Sequence, residues 1–150
     1  MVSTPNARRI VRYASLEDFK EDLACLRGTG VTTVGGWSFA QILDHLASAM
    51  TCSIDGFPFR ANWFIRVLLA PLMKNSLLTR PMKSGYRLPR RAREYLPDEH
   101  VTTEEALERV DAALDRLDRE TPCAAHPFLG RLAGCEWIAL HLRHAELHMS

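Results

Sequence analysis

The residues best placed to do chemistry in this chain are histidines. Six are present, and His141, His144 and His148 fall close together in one stretch. On a helix turning about 100° per residue, with Trp137 at zero, His148 falls at about 20°, His141 at about 40° and His144 at about −20°. Leu140 and Leu147 flank this stripe on one side, and Ile138 and Ala145 flank it on the other. Arg143, Glu146 and Ala139 lie opposite. Three imidazoles in the middle of an inward arc each bring a nitrogen that costs about 1–3 kcal/mol if buried without a partner. A single cation can serve several of them at once.

Axial distance decides which can share an ion. His141 and His148 are separated by about 10.5 Å along the axis, whereas metal–nitrogen bonds are about 2.0–2.1 Å. The choice is therefore between His141/His144 and His144/His148, and either pair needs a third ligand from elsewhere. His45 is the natural third. It lies about 60° from Ile42, at the edge of the face formed by Ile42, Leu46, Ala49 and Ser53. If its helix packs antiparallel to the last one, His45 stands level with His144 and His148. Cys52 shares the face but lies about 10.5 Å further along, and it is rejected as a ligand. Three ligands leave a position for water or substrate, as at a catalytic site.

These side chains need helices to hold them. Ser15 to Arg27 predicts a first helix, capped by Ser15 and ended by Gly28. Ser38-Phe-Ala-Gln41 is a capping box that opens a second helix to about Ile54, and Asp55-Gly56-Phe57-Pro58 forms a turn. A third helical segment, about Ala61 to Lys74, is apolar nearly all round, which suits a core or a subunit contact. Pro71 should bend or end it. Arg80 to Glu94 is basic and irregular. Thr102-Thr-Glu-Glu105 caps a helix to about Arg119, Thr121-Pro122 stops it, and the last helix runs from about Cys135 to His148. No repeat and no convincing strand pattern occurs. The expectation is an all-α single domain over residues 1–150, built as a helical bundle.

Composition narrows the function classes. At 150 residues, 47% hydrophobic and 25% charged, the chain can bury a core. A net charge of +1 implies no global pull toward nucleic acid or membrane. Trp37, Trp63 and Trp137 read as core positions, not as stacking platforms among basic residues. The stretch Trp63 to Met73 is too short to span a bilayer. Cys25, Cys52, Cys123 and Cys135 lack C-x-x-C spacing, and no signal peptide precedes them. Reduced thiols in a cytoplasm are expected.

The string Trp37-Ser-Phe-Ala-Gln-Ile-Leu-Asp-His45-Leu-Ala, followed by Ser53-Ile-Asp-Gly-Phe-Pro58, resembles the start of a DinB-like domain. His126-Pro-Phe-Leu-Gly130, Trp137 and Leu140-His-Leu-Arg-His144-Ala-Glu-Leu-His148 resemble its end, in the branch catalogued as a domain of unknown function (DUF1569-like). The resemblance implies a DinB-like four-helix bundle with an additional helix in the long connection between bundle helices two and three. It implies one divalent transition metal (zinc, nickel or iron) on His45, His144 and His148. It also implies chemistry of the kind found in relatives, which include thiol transferases, isomerases and hydrolases using in some cases a low-molecular-weight thiol. In such relatives the last helix usually continues further; here the sequence stops at Ser150, which predicts a frayed turn around His148 and a weaker site.

Two functional expectations follow. The first is a metal-dependent enzyme that activates a thiol or water for a small-molecule substrate. His141 would then act as general base or through the ligands, although a buried histidine bonded to a neighbour is an equal alternative. Asp44 and Glu146 read as solvated charges, His126 as a loop histidine that either approaches the site or, as most do, faces water, and the run Arg80 to Arg93 as a solvated loop or a receptor for an anionic cosubstrate. The second expectation is a non-catalytic binding or assembly module with a degenerate or structural metal site. It is supported by the apolar third helix, which would suit a homodimer contact.

Overall fold

The computed structural model describes residues 8–85 and 96–150. Among them are five α-helices and no strand: α1 (Leu16–Leu26), α2 (Phe39–Asp55), α3 (Ala70–Thr79), α4 (Thr103–Arg119) and α5 (Gly134–Met149). The described residues form an all-α fold. The expected starts of α1, α2 and α4 hold because each is a reciprocal cap. Ser15, Ser38 and Thr102 accept from the backbone N–H three residues on, and Asp18, Gln41 and Glu105 return the bond. α5 opens one residue earlier than expected, at Gly134. Glu136 accepts from the Ala133 N–H at 2.9 Å, and a Cβ on Gly134 would meet Thr121 Cγ2 at 2.8 Å. Gly56, with φ +107°, lets the chain leave α2 in a conformation other residues resist.

The third helical segment departs from expectation. Ile65–Leu69 is a π-helical turn, closed by the Ala70 N–H on the Ile65 carbonyl, and α3 begins at Ala70 with Pro71 in its first turn. Pro71 has no N–H to give and is accommodated where none is needed. Nor is this segment a core helix. Trp63 is 70% exposed and Leu72 78% exposed, so Trp63 is not a core tryptophan.

Ion pairs and hydrogen bonds fix the directions of the helices. Lys20 pairs with Asp118 and Arg27 with Asp111, so α1 runs against α4. Asp44 pairs with Arg109 and Asp55 with Arg116, so α2 runs with α4. His45 meets His144 and His148 while Ser53 meets His141, so α2 and α5 are antiparallel, as the site requires. Parallel α2 and α4 need a long connection, and α3 lies within it. One core joins α1, α2, α4 and α5 through residues such as Phe19, Leu23, Leu43, Leu46, Val110 and Leu142. Each large side chain withdrawn from water there contributes about 1.5–3 kcal/mol. A second cluster, with Ala70, Leu129, Leu132, Trp137 and Leu140, seats α3 and the 121–133 loop on the first half of α5.

α5 is enclosed on more sides than its apolar stripe suggests. Arg143 and Glu146, on the side away from the histidines, are 5% and 4% exposed. Residues 9–14 lie across them: Glu146 Oε1 accepts from the Tyr13 N–H and from Arg143 at 2.7 Å, and Arg143 donates to the Tyr13 carbonyl at 2.5 Å. The expectation of a solvated Glu146 is thereby corrected. Asp44 is corrected likewise. It is 6% exposed, and accepts from Arg109 at 2.6 Å and from the Asp98 N–H at 3.2 Å.

Candidate metal centre

The antiparallel packing of α2 and α5 brings three imidazoles edge to edge. His144 Nε2 lies 3.1 Å from His45 Nε2 and 3.1 Å from His148 Nε2, and one ligand atom from each residue falls within 4.8 Å of the others. The i,i+4 spacing stacks His144 and His148 on one face of α5, with ring centroids 4.8 Å apart. His45 enters from α2, its ring nearly perpendicular to both.

Each of these nitrogens carries one in-plane site, either a proton or a lone pair. His144 Nε2 cannot point that single site at two partners. A cation among the three can accept all three lone pairs. In tetrahedral coordination with bonds of about 2.0–2.1 Å, donor atoms sit roughly 3.3 Å apart. The 3.1 Å contacts are close to that edge. Burial also keeps His144 and His148 in the neutral form that metal binding needs. It holds His144 well below the ordinary histidine pKa, helped by its neighbouring histidines, and pushes His148 down to about 4, helped by His45 and Arg8. The three residues named from the sequence are therefore close enough together to hold one metal ion.

Trp37 walls the cluster. Its ring stacks on His148 at 5.6 Å and leans on His45 at 5.0 Å. Beyond Trp37 and His148 opens a cleft of about 430 Å³ between the α1–α2 loop and the end of α5, with Arg8 and Arg9 on its rim. The turn that carries His148 is tied down, contrary to the expectation of fraying. Arg9 Nε donates to the Met149 carbonyl at 2.6 Å, and the Ser150 N–H donates to the Glu146 carbonyl at 3.1 Å. Arg80 and Lys83 do not line this cleft, and the rest of the basic run, residues 86–93, lies outside the described residues.

His141 stands one turn back, apart from the triad. Ser53 gives its hydroxyl proton to the Met50 carbonyl, at 2.6 Å, so the 2.9 Å contact to His141 is a donation from His141 Nε2 to Ser53 Oγ. The ring is 3% exposed and stacks on Trp137. Neither Ser53 nor Trp37 was singled out by residue type. The signal for Ser53 was register, since a helix antiparallel to α2 must bring His141 near the turn after Ala49. His126 does not join the triad and does not simply face water. It packs against Phe57, Phe128 and Trp137, and its Nδ1 accepts from the N–H groups of Phe128 and Leu129. Cys52 is likewise outside the cluster, and all four cysteines are free.

Burial pushes His126 down to about 4, and burial together with the neighbouring His126 pushes His141 down to about 3. Unfolded, both titrate at about 6.5. Between about pH 6.5 and 4 the unfolded chain therefore binds protons that the native chain refuses. Stability is full above pH 6.5 and falls as the pH drops, by up to about 2 kcal/mol per group at pH 5. The urea midpoint should be clearly lower at pH 5 than at pH 7.5. Equal midpoints would show that these rings are not held neutral by the fold.

No curated protein and no solved structure matches the chain. Residues 5–150 match the family described as "Protein of unknown function (DUF1569)". The chain belongs to that family.

Proposed function

We propose that this protein holds one divalent transition metal on His45, His144 and His148 and is a metal-dependent enzyme of the thiol transferase, isomerase or hydrolase type. The observation that carries the reading is His144 Nε2, which lies 3.1 Å from two other imidazole nitrogens and can satisfy only one without a cation. In the same reading, α1, α2, α4 and α5 form a DinB-like four-helix bundle, and α3 is the extra helix of its long connection. A bound ion of this kind supplies Lewis acidity, lowering the pKa of a thiol or water enough to give a nucleophile near neutrality.

The remaining work falls to the chain's own side chains. Trp37 shields two of the imidazoles and forms the floor of the cleft from which a small substrate approaches. Arg8, whose charge is felt at His148, favours a substrate or thiol cosubstrate carrying carboxylates, whereas the neighbouring Arg9 is already paired with Asp22 and the Met149 carbonyl. His141 is a positioning residue in this reading. Its Nε2 proton is committed to Ser53, and that bond fixes the register of α5 on α2 one turn from the ligands.

Elemental mass spectrometry on untagged protein tests the proposal. About one equivalent of a transition metal is expected in the wild type and less than a tenth of that in His45→Ala/His144→Ala. Absence of metal from the wild type, even after reconstitution, would sink the reading. A stabilising site without catalysis is the second reading, favoured by the near-complete burial of His45. Chelation separates the two: an enzyme loses turnover while its helices persist, and a structural site loses its fold.

A further inference from the structure

The surface segment between α2 and α4 has its polarity reversed. Along residues 63–74, the side chains turned toward the body of the protein are Arg66, Ala70 and Lys74, and Lys74 is paired with Glu136 at 2.7 Å; the next turn reverts to the ordinary pattern, with Leu77 and Leu78 packed inward. The side chains turned outward there include Trp63, Phe64, Val67, Leu68, Leu72 and Met73, all between 46% and 78% exposed. A helix resting on a protein in water shows the opposite arrangement. An outward face this apolar marks a contact with something else.

Charge indicates what that is. From Gly56 to Gly85 there is no Asp or Glu, but there are Arg60, Arg66, Lys74, Arg80 and Lys83. Five positive charges here leave −4 for the rest of a chain whose net charge is +1. The overall balance therefore hides a strong segregation. Arg60, Arg80 and Lys83 are exposed and bracket the apolar face at both ends. A twofold contact with a second copy would set this face against itself and bring like charges together. Exposed tryptophan, phenylalanine and leucine bordered by cations suit a negatively charged lipid surface, with the rings at headgroup level and the cations on lipid phosphates and carboxylates. No described helix is long and apolar enough to cross a membrane, so the contact is in the plane of one leaflet.

We propose that the face formed by Trp63, Phe64, Val67, Leu68, Leu72 and Met73 docks on the surface of anionic lipid bilayers. Sedimentation with vesicles tests this, using phosphatidylcholine alone and phosphatidylcholine with about 30% phosphatidylserine, at about 0.1 M salt. The wild type should bind the anionic vesicles at least tenfold more tightly than the neutral ones. Both Trp63→Ser/Leu72→Ser and Arg60→Gln/Arg80→Gln/Lys83→Gln should lose at least tenfold, with unchanged helicity. Tryptophan emission should shift to the blue on anionic vesicles in the wild type and not in the Trp63 variant. Failure of the wild type to sediment with anionic vesicles would overturn the proposal, as would undiminished binding by the serine variant. A dimer in the ultracentrifuge that the serine variant abolishes, without vesicle binding, would assign the face to a second copy instead. None of the substituted residues belongs to the histidine cluster or lines the cleft beside it, and the result stands whether or not the protein carries metal.

Discussion

Saturating metal is expected to raise the melting temperature of the metal-free protein by roughly 5–10 °C. A ligand that binds only the native state, at about 100 times its dissociation constant, adds about 2.7 kcal/mol. In a domain of this size each kcal/mol moves the midpoint by about 2–4 °C. His144→Ala should erase the response, because His144 Nε2 is the nitrogen that both other imidazoles face. The loss should be larger than for His148→Ala, which leaves His45 and His144 still facing each other. The variant should remain helical, since alanine is the best helix former and its small side chain fits where one of three closely packed rings stood. Calorimetry with zinc, nickel, cobalt and ferrous iron would decide it. An equal shift in wild type and His144→Ala would place the responding site elsewhere in the chain.

The second large effect concerns a residue with no contact to the triad. Glu146→Ala should cost about 3–5 kcal/mol, because it strands the guanidinium of Arg143 in the interior without its carboxylate. The native pair is tightly committed. Glu146 serves the Tyr13 N–H, Arg143 and Arg12, and Arg143 also holds the Tyr13 carbonyl. Glu146→Gln keeps an acceptor for Tyr13 but loses the charge, and should fall between the alanine variant and wild type. Arg143→Ala/Glu146→Ala should be less damaging than the sum of its single changes, since neither partner is left alone. Because residues 9–14 also deliver Arg9 to the Met149 carbonyl, Glu146→Ala should weaken metal binding without touching a ligand. Urea unfolding and metal titration on the same samples would show both effects. A stability loss under about 1 kcal/mol would mean that the pair is not buried in solution.

The contrast between His144 and Glu146 shows what could be read in the sequence. Ser38, Thr102 and their partners three residues on fix helix starts through local bonds, and such bonds are written within four residues. The choice of His144 and His148 over His141 needed only helical rise and an antiparallel neighbour, and the structure brings that pair together with His45. Glu146, Arg143 and Asp44 looked solvated because a helical wheel describes one helix and not what covers its far side. Their cover is residues 9–14 for the first two, and Asp98 and Arg109 for the third, at sequence separations no periodicity can reveal. Trp63 failed for the opposite reason. An apolar residue in a helical pattern normally turns inward, and here the inward positions over residues 63–74 are taken by Arg66, Ala70 and Lys74.

His45 and His144 are 99 residues apart in the chain. A shared ion would act as a removable cross-link around a loop of about 100 residues, a span for which a covalent bridge is worth up to about 4.7 kcal/mol in chain entropy. Until α5 docks on α2, the chain offers only the neighbouring pair on α5, a weak two-nitrogen chelate. If the site holds an ion, loading would be a checkpoint on assembly: a copy whose last helix had come adrift would release its ion, and metal content would count correctly folded molecules.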